Sequence, residues 1–412
     1  MADTLPYDTI ESRRDTIGMN KNPVVEQAER LMEPYLADLA ALVNIDSGTY
    51  TKAGVDRVGA YLQQRFRAFG YATYFDEQQQ FGNNLVAIHK GDTPTGARIL
   101  LVGHMDTVFP EGEAQRRPFN IRAHNGMRIA TGPGVLDMKA GLLIGLYGVH
   151  LLSAEAHYQS VTFICNTDEE IGSPASKALI QEIARQSDAV IVLEPGRALS
   201  TVVSSRRSCG FYRVEVRGVA AHAGIEPQMG RNAILELAHQ VQAMQALHGT
   251  IAGTSLNVTL IQGGQRTNVI PDYAYCDMDV RASDMAGVKA IEAAMRNVAA
   301  KTVVTGTTVT LSGQMTNSPF EHAARNEPLI QMTKEAGREL GLHIEDLASG
   351  GASDANNTSV LGIPTIDGLG AGGGHAHNPD EYVELDYLPT RIALLTGLVK
   401  RVGEAYQHKH EA

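Results

Sequence analysis

Cysteine is scarce in this chain: there are three, Cys165, Cys209 and Cys276, far apart and never as CxxC. That excludes a disulfide framework and a thiolate zinc site, so each reads as a small core residue in a reducing compartment. Long apolar runs are missing too. The longest apolar helix candidate, 141–152, is shorter than a membrane span and is interrupted by glycines and His150. The opening MADTLPYDTIESRRDT lacks the apolar stretch of a secretory signal, and the cytoplasm is the expected compartment. Basic residues are in deficit, 35 against 46 acidic ones for a formal net charge of -11, with no basic cluster. Nucleic acid and anionic membrane surfaces are therefore not expected as partners. GPG at 132–134 lacks the Lys-Ser/Thr ending of a phosphate loop.

What remains is an ordinary soluble composition, 43% hydrophobic and 20% charged, over 412 residues, which is enough for two or three domains. Residues 1–22 read as a loose arm. Helical spacing covers 24–43, with a break or fresh start at Pro34, and 55–69, closed by Gly70. Short strands are expected at 73–75, 85–89, 99–102, 161–165 and 189–193. A long loop is expected over 108–135, a helix over 138–153, and a helix from a Ser173 cap towards Gln186. Strands alternating with helices predict an α/β fold, a mostly parallel sheet covered on both faces.

The texture changes near Arg207. From Phe211 to Arg217 apolar and charged residues alternate, as in a half-exposed antiparallel strand. Helices are expected at 232–246 and 285–299, and strands at 256–261, 274–280 and 303–311. Two helices on a four-stranded sheet would make an inserted α+β unit. The expected organisation is a first catalytic part over 1–206, an inserted unit over 207–317 and a second catalytic part over 318–412. The α/β pattern then resumes, with a helix at 326–340, a strand near 364–366 and a last helix over 386–406 before a fraying tail, QHKHEA.

The chemistry gathers at strand ends. RILLVGHMDT (98–107) is a buried-strand run followed by His104 and Asp106, two apart and so on one side of an extended chain. His104 can offer one ring nitrogen to a metal while Asp106 accepts the N–H of the other. Asp137, Glu169, Glu170, Glu194 and His377 occupy the other predicted strand ends and loops. Four clustered carboxylates would repel one another unless cations occupied the cluster. Oxygen and imidazole donors without thiolate suit zinc, and also manganese or cobalt. The charge count suggests two divalent ions sharing Asp137, which would polarise a carbonyl and acidify water. Glu169 and Glu170 point apart, which leaves Glu169 as a general base.

The chain resembles the zinc-dependent glutamate carboxypeptidase/aminoacylase/succinyl-diaminopimelate desuccinylase family, and most of all its bacterial glutamate carboxypeptidase branch. The resemblance spans about 25–405 and rests on GHMDTV (103–108), GPGVLDMKAG (132–141), NTDEEIGS (166–173), EP (194–195), VAAHAG (219–224), NVIPD (268–272), DVRAS (279–283), GGASDAN (350–356) and AHNPDEYVEL (376–385). It implies a di-zinc exopeptidase-like fold with an inserted lid and dimerisation domain. It implies metal ligands His104, Asp137 (bridging), Glu170, Glu194 and His377, with Glu169 as base and Asp106 supporting His104. It also implies a cis peptide after Asp137. His375 is two residues from His377; the family ligand sits just before the acidic-Tyr-Val run, which favours His377. His222 resembles a histidine that steadies the oxyanion from the other subunit of a homodimer. Arg281 matches the arginine that grips the substrate carboxylate, Asn268 and Gly351 match substrate contacts, and Arg206 or Arg207 could read a second carboxylate. Leu199-Ser200-Thr201 replace a lysine of the glutamate-specific enzyme, so a strict glutamate preference does not carry over. The expected activity is hydrolysis of an N-acyl amino acid or small C-terminal peptide. The rivals are aminopeptidase or dipeptidase action, and a silent metal or peptide binder.

Overall fold

The computed structural model describes residues 22–152 and 156–411, the last five as backbone alone. Of the expected N-terminal arm, residues 1–21 lie outside the described residues, as does Ser153 at the end of one expected helix. Six strands form the main sheet, in the order Ala72–Asp76, Asn84–Lys90, Tyr158–Asn166, Ala97–His104, Ala189–Val192, Thr365–Ile366. The central strand Ala97–His104 runs parallel to both its neighbours, and Thr365–Ile366 runs parallel to Ala189–Val192. The two strands at the other edge are antiparallel. The sheet is mostly parallel, as the alternating pattern predicts.

Alternation along the central strand divides two cores. Ile99 and Leu101 join Leu39, Leu62, Leu143 and Leu395 from the helices Met32–Val43, Lys52–Ala68, Ala140–His150 and Leu388–Glu411. Leu100 and Val102 face the other way, onto Ile180 and Ala184 of the helix Lys177–Ala184. With both faces covered, the strand has no solvent side and reads as an unbroken apolar run. The N-terminal helices Pro23–Arg30 and Met32–Val43 part at Leu31, and Pro34 sits in the first turn of the second, where its missing N–H costs no helix bond.

The second layer is a four-stranded antiparallel sheet in the order Thr254–Gly263, Tyr273–Ala282, Ser208–Arg217, Thr308–Met315. Tyr212, Val214 and Val216 turn inward with Cys276, Met278, Leu237 and Ile291 to form a core with no member in common with the other two. Its helices start at side-chain caps: Asn232 accepts from Leu235 N, and Asp284 from Gly287 N.

Several expectations need correction. The stretch 108–135 is not one loop. It contains the hairpin Asn120–His124 and Met127–Thr131, turned by Asn125 and Gly126, both at positive φ. That is the left-handed pair a two-residue hairpin turn requires. The hairpin pairs with Tyr382–Glu384 and so joins a second small sheet. The last strand of the second layer starts at Thr308, because the amides of Val303 and Val304 donate to Glu236 and Gly306 turns the chain. Ser173 does not cap a helix: it lies at φ 58, its hydroxyl donates to Asp354 and the helix begins at Lys177. The helix after Asp137 starts at Ala140, and the last helix starts at Leu388 and runs through the tail to Glu411 rather than fraying after Tyr406. Among the described residues no helix is long and apolar enough to cross a membrane.

Candidate metal centre

The carboxyl end of the central strand delivers His104, fully buried, to one edge of the sheet. Its Nε2 lies 3.1 Å from Asp137 Oδ1, 3.6 Å from Glu194 Oε1 and 4.0 Å from Glu169 Oε2. His377 Nε2 lies 3.2 Å from Asp137 Oδ2 and 3.1 Å from Glu170 Oε2. The two oxygens of Asp137 therefore face two different half-sites. His375 is elsewhere, edge-on to the Tyr382 ring. The peptide after Asp137 is cis.

Asp106 lies beside His104. The close acceptor for His104 Nδ1 is the backbone carbonyl of Asp106 at 2.9 Å, and its carboxylate is 3.4 Å away. That carboxylate also accepts the backbone amides of Glu169 and Glu170, and the Thr49 hydroxyl at 2.7 Å. One acid thus sets the His104 ring through its main chain and fixes the turn carrying both glutamates through its side chain. Asp168 holds the same turn from the other end, accepting from Ala175 N and the Ser176 hydroxyl. Glu194 follows the strand Ala189–Val192. The buried Arg391, donating to the carbonyls of Leu199, Thr201, Gly368 and Gly370, ties down its loop.

Burial, then the Glu194 charge, raises the Glu169 pKa well above the usual carboxylate range. Glu194 is raised by burial and then by Asp137, and Glu170 by burial. Burial would raise Asp137 as well, but hydrogen bonds to His104 and His377 outweigh it and hold the group low. Asp137 and Glu170 lift His377 to about 10. Two overlapping groups, His104/Glu169/Glu194 and His104/Asp137/Glu170, each bring their ligand atoms within 4.8 Å of one another. Glu170 Oε1 is buried with no hydrogen-bond partner. Crowded acids, an orphaned buried oxygen and an imidazole–carboxylate donor set fit hard or borderline divalent cations.

The other expected residues are not among these close contacts, although the Arg206 charge acts on Glu194. His222 is exposed and accepts from Gly224 N and Ile225 N in its own turn. It pairs with Val269, next to Asn268, whose carbonyl accepts from Ala223 N. His222 and Asn268 thus share one small ribbon of the second layer. Arg281 is paired with Asp279 at 2.7 Å on the open face of its sheet. Of the two adjacent arginines, Arg206 is the buried one, bonded to Asp367 at 2.6 Å and to Ser349 and the Gly351 carbonyl at 3.4 Å. Arg207 meets the same segment only through its main chain, to Ser349 O and Asn356.

Sequence reasoning missed Glu381, Asp354, Asp168, Asp367 and Arg391. Glu381, Asp354 and Asp168 stand inside quoted motifs, where the acidic letters among Asn, Pro and Ser were the available signal. Asp367 and Arg391 carry no such mark. Glu381, Asp354, Asp367 and Arg391 have partners far away in sequence, whereas Asp168 holds residues seven and eight positions on.

The sequence profile of Peptidase family M20/M25/M40 matches residues 100–401. Carboxypeptidase G2 of Pseudomonas sp. (strain RS-16) is 29% identical over 398 residues, covering 94% of each chain. Succinyl-diaminopimelate desuccinylase of Magnetococcus marinus is 27% identical over 329 residues, covering 74% of this chain and 84% of its own. The crystal structure of a tripeptidase from Staphylococcus aureus superposes with a TM-score of 0.78 at 24% identity, over 90% of this chain and 99% of its own.

Proposed function

The chain belongs to Peptidase family M20/M25/M40 and is a metal-dependent hydrolase, and we propose that it cleaves the amide bond of an N-acyl amino acid or C-terminal residue bearing a free carboxylate. The observation that carries this reading is Asp137, split between two histidine-bearing half-sites beside an uncommitted, half-buried Glu169. His104, Glu194 and Asp137 would hold one zinc ion, and His377, Glu170 and Asp137 a second. When bound, such ions supply Lewis acidity to the scissile carbonyl and acidity to water.

The chain's own groups do the rest. Glu169, with an affinity for protons raised by burial and Glu194, takes a proton from the attacking water and returns it to the leaving nitrogen. Arg281 grips the substrate carboxylate with its planar fork. Asn268, Gly351 and the adjacent arginines Arg206 and Arg207 line the substrate side.

His222 needs a partner, since its contacts stay within the second layer. That layer exposes Ile225 (72%), Met229 (62%), Leu235 (50%) and Ile261 (58%). Apolar surface of this kind supports a homodimer through residues 207–317, in which each copy lends His222 to the other's oxyanion. We take this unit as a lid between the catalytic parts 1–206 and 318–412. The three free, buried cysteines fit a reducing compartment such as the cytoplasm.

The test is a hydrolysis panel of N-acyl amino acids and short peptides with wild type and Glu169→Gln. The reading expects turnover that needs a free carboxylate. The variant should keep its metal and lose about 10²–10⁴-fold in kcat. A requirement for a free α-amine would make it an aminopeptidase or dipeptidase instead. Metal binding without turnover of any substrate would make it a silent binder.

A further inference from the structure

Glu381 lies four residues beyond His377 and is completely buried. Its Oε1 accepts from Leu136 N at 2.8 Å and Asp137 N at 2.9 Å, and its Oε2 from Gly134 N at 3.0 Å. Three backbone donors of one turn, those of Gly134, Leu136 and Asp137, converge on one carboxylate some 245 residues away in sequence. Gly134 is at φ 69, and a Cβ there would lie 2.4 Å from Thr107 Cγ2, so only glycine lets the turn fold this tightly. Backbone donors to a carboxylate oxygen form directional hydrogen bonds. The amine of Lys139, also buried, bonds to the carbonyls of Ile45 and Pro133 beside the same turn.

The other end of the clamp is equally short. Asn378 N donates to His375 O and Glu381 N to Asn378 O, so the loop from His377 to Glu381 is folded on itself. His377 Nε2 then meets Asp137 Oδ2 at 3.2 Å. One five-residue stretch both supplies a histidine of the cluster and holds the main chain of its shared aspartate.

We propose that Glu381 is a positioning residue that fixes the Asp137 carboxylate between the two half-sites by clamping the Gly134–Asp137 turn to the His377 loop. It touches neither substrate nor the His104, Glu169, Glu170 and Glu194 side chains. Its effect on turnover rests on the hydrolase reading above, while its effect on cation binding and on the turn does not.

The experiment uses the full chain with Glu381→Ala and Glu381→Gln, titrated metal-free with Zn²⁺ alone, together with hydrogen exchange at Leu136 and Asp137. Glu381→Ala should weaken Zn²⁺ binding about 10–100-fold and speed exchange at both amides. Glu381→Gln, which keeps one oxygen for Leu136 and Asp137, should fall between. In turnover, kcat should drop at unchanged KM and recover in part with excess metal. Wild-type affinity and exchange in Glu381→Ala would overturn the proposal, even with a lowered melting temperature. If that variant does not fold, Glu381→Gln decides alone: weakened affinity supports the clamp and unchanged affinity overturns it. Wild type that binds Zn²⁺ yet hydrolyses nothing would remove the hydrolase reading and leave these two readouts standing.

Discussion

Asp106 shows how one residue serves the site at several points. Its carbonyl faces His104 Nδ1, and its carboxylate holds the amides of Glu169 and Glu170. Asp106→Asn keeps the carbonyl and one acceptor oxygen but removes the charge that these amides point at. It should lower kcat while leaving the His104 contact intact. A variant with wild-type kcat would contradict this. The cysteines give a second prediction at this scale. All three are buried and free, and burial pushes the Cys276 thiol up to about 11. Thiolate is the reactive form, so at pH 8 the folded protein should resist iodoacetamide, and three thiols should react once urea unfolds it. Rapid labelling of the folded chain would refute the packing described.

At the scale of elements, the strand Glu345–Ser349 lies parallel to Thr201–Arg206. Asp346 on it meets Lys334 Nζ at 2.5 Å and the Ser204 hydroxyl at 2.9 Å. Burial would raise the Asp346 pKa, but these partners outweigh it and lower it. The unfolded chain therefore takes up the proton first as pH falls. The contribution is whole above the unfolded value of about 4 and is lost as pH drops through the folded one. Asp346→Asn should cost no more than about 1 kcal/mol near pH 7, since the pair is partly solvated, and the gap to wild type should close in acid. Urea titrations at pH 7 and pH 3 measure it; a gap that widens in acid contradicts the assignment.

The elements also show what a sequence discloses. The central strand and the His104–Asp106 spacing are legible because they are local, with both faces buried and the period short. The hairpin at 120–131 was hidden because all five residues of Asn120–His124 are exposed and give no burial alternation. Its Asn125-Gly126 turn was the readable sign. Arg391 was illegible for another reason. Its partners are main-chain groups 21 to 192 residues distant, and a main-chain partner leaves no trace in residue type. Ser173 misled because a serine before a helix looks like a cap, whereas here its hydroxyl is used by Asp354, 181 residues away.

On the scale of the whole molecule, the two layers keep separate hydrophobic cores. Leu101→Ala in the first and Val214→Ala in the second remove fully buried side chains. The leucine change should cost about 2–5 kcal/mol, and distant sites should add within about 0.5 kcal/mol. Differential scanning calorimetry of the two single variants and the double checks this. Strong coupling would mean that the layers unfold as one unit through a shared interface. The exposed Ile225 and Ile261 bear on the dimer. Ile261→Lys should yield monomers by analytical ultracentrifugation with kcat reduced. Mixing Glu169→Gln with His222→Ala copies should restore part of the activity if His222 crosses between subunits.

The central claim is that Asp137 is shared by two cations, one beside His104 and one beside His377. Calorimetric titration of the metal-free chain with Zn²⁺, in wild type and Asp137→Asn, tests it most directly. The account predicts two equivalents bound by wild type and both weakened together in the variant. A single equivalent in wild type, or two that survive the Asp137→Asn change with unaltered affinity, would contradict it.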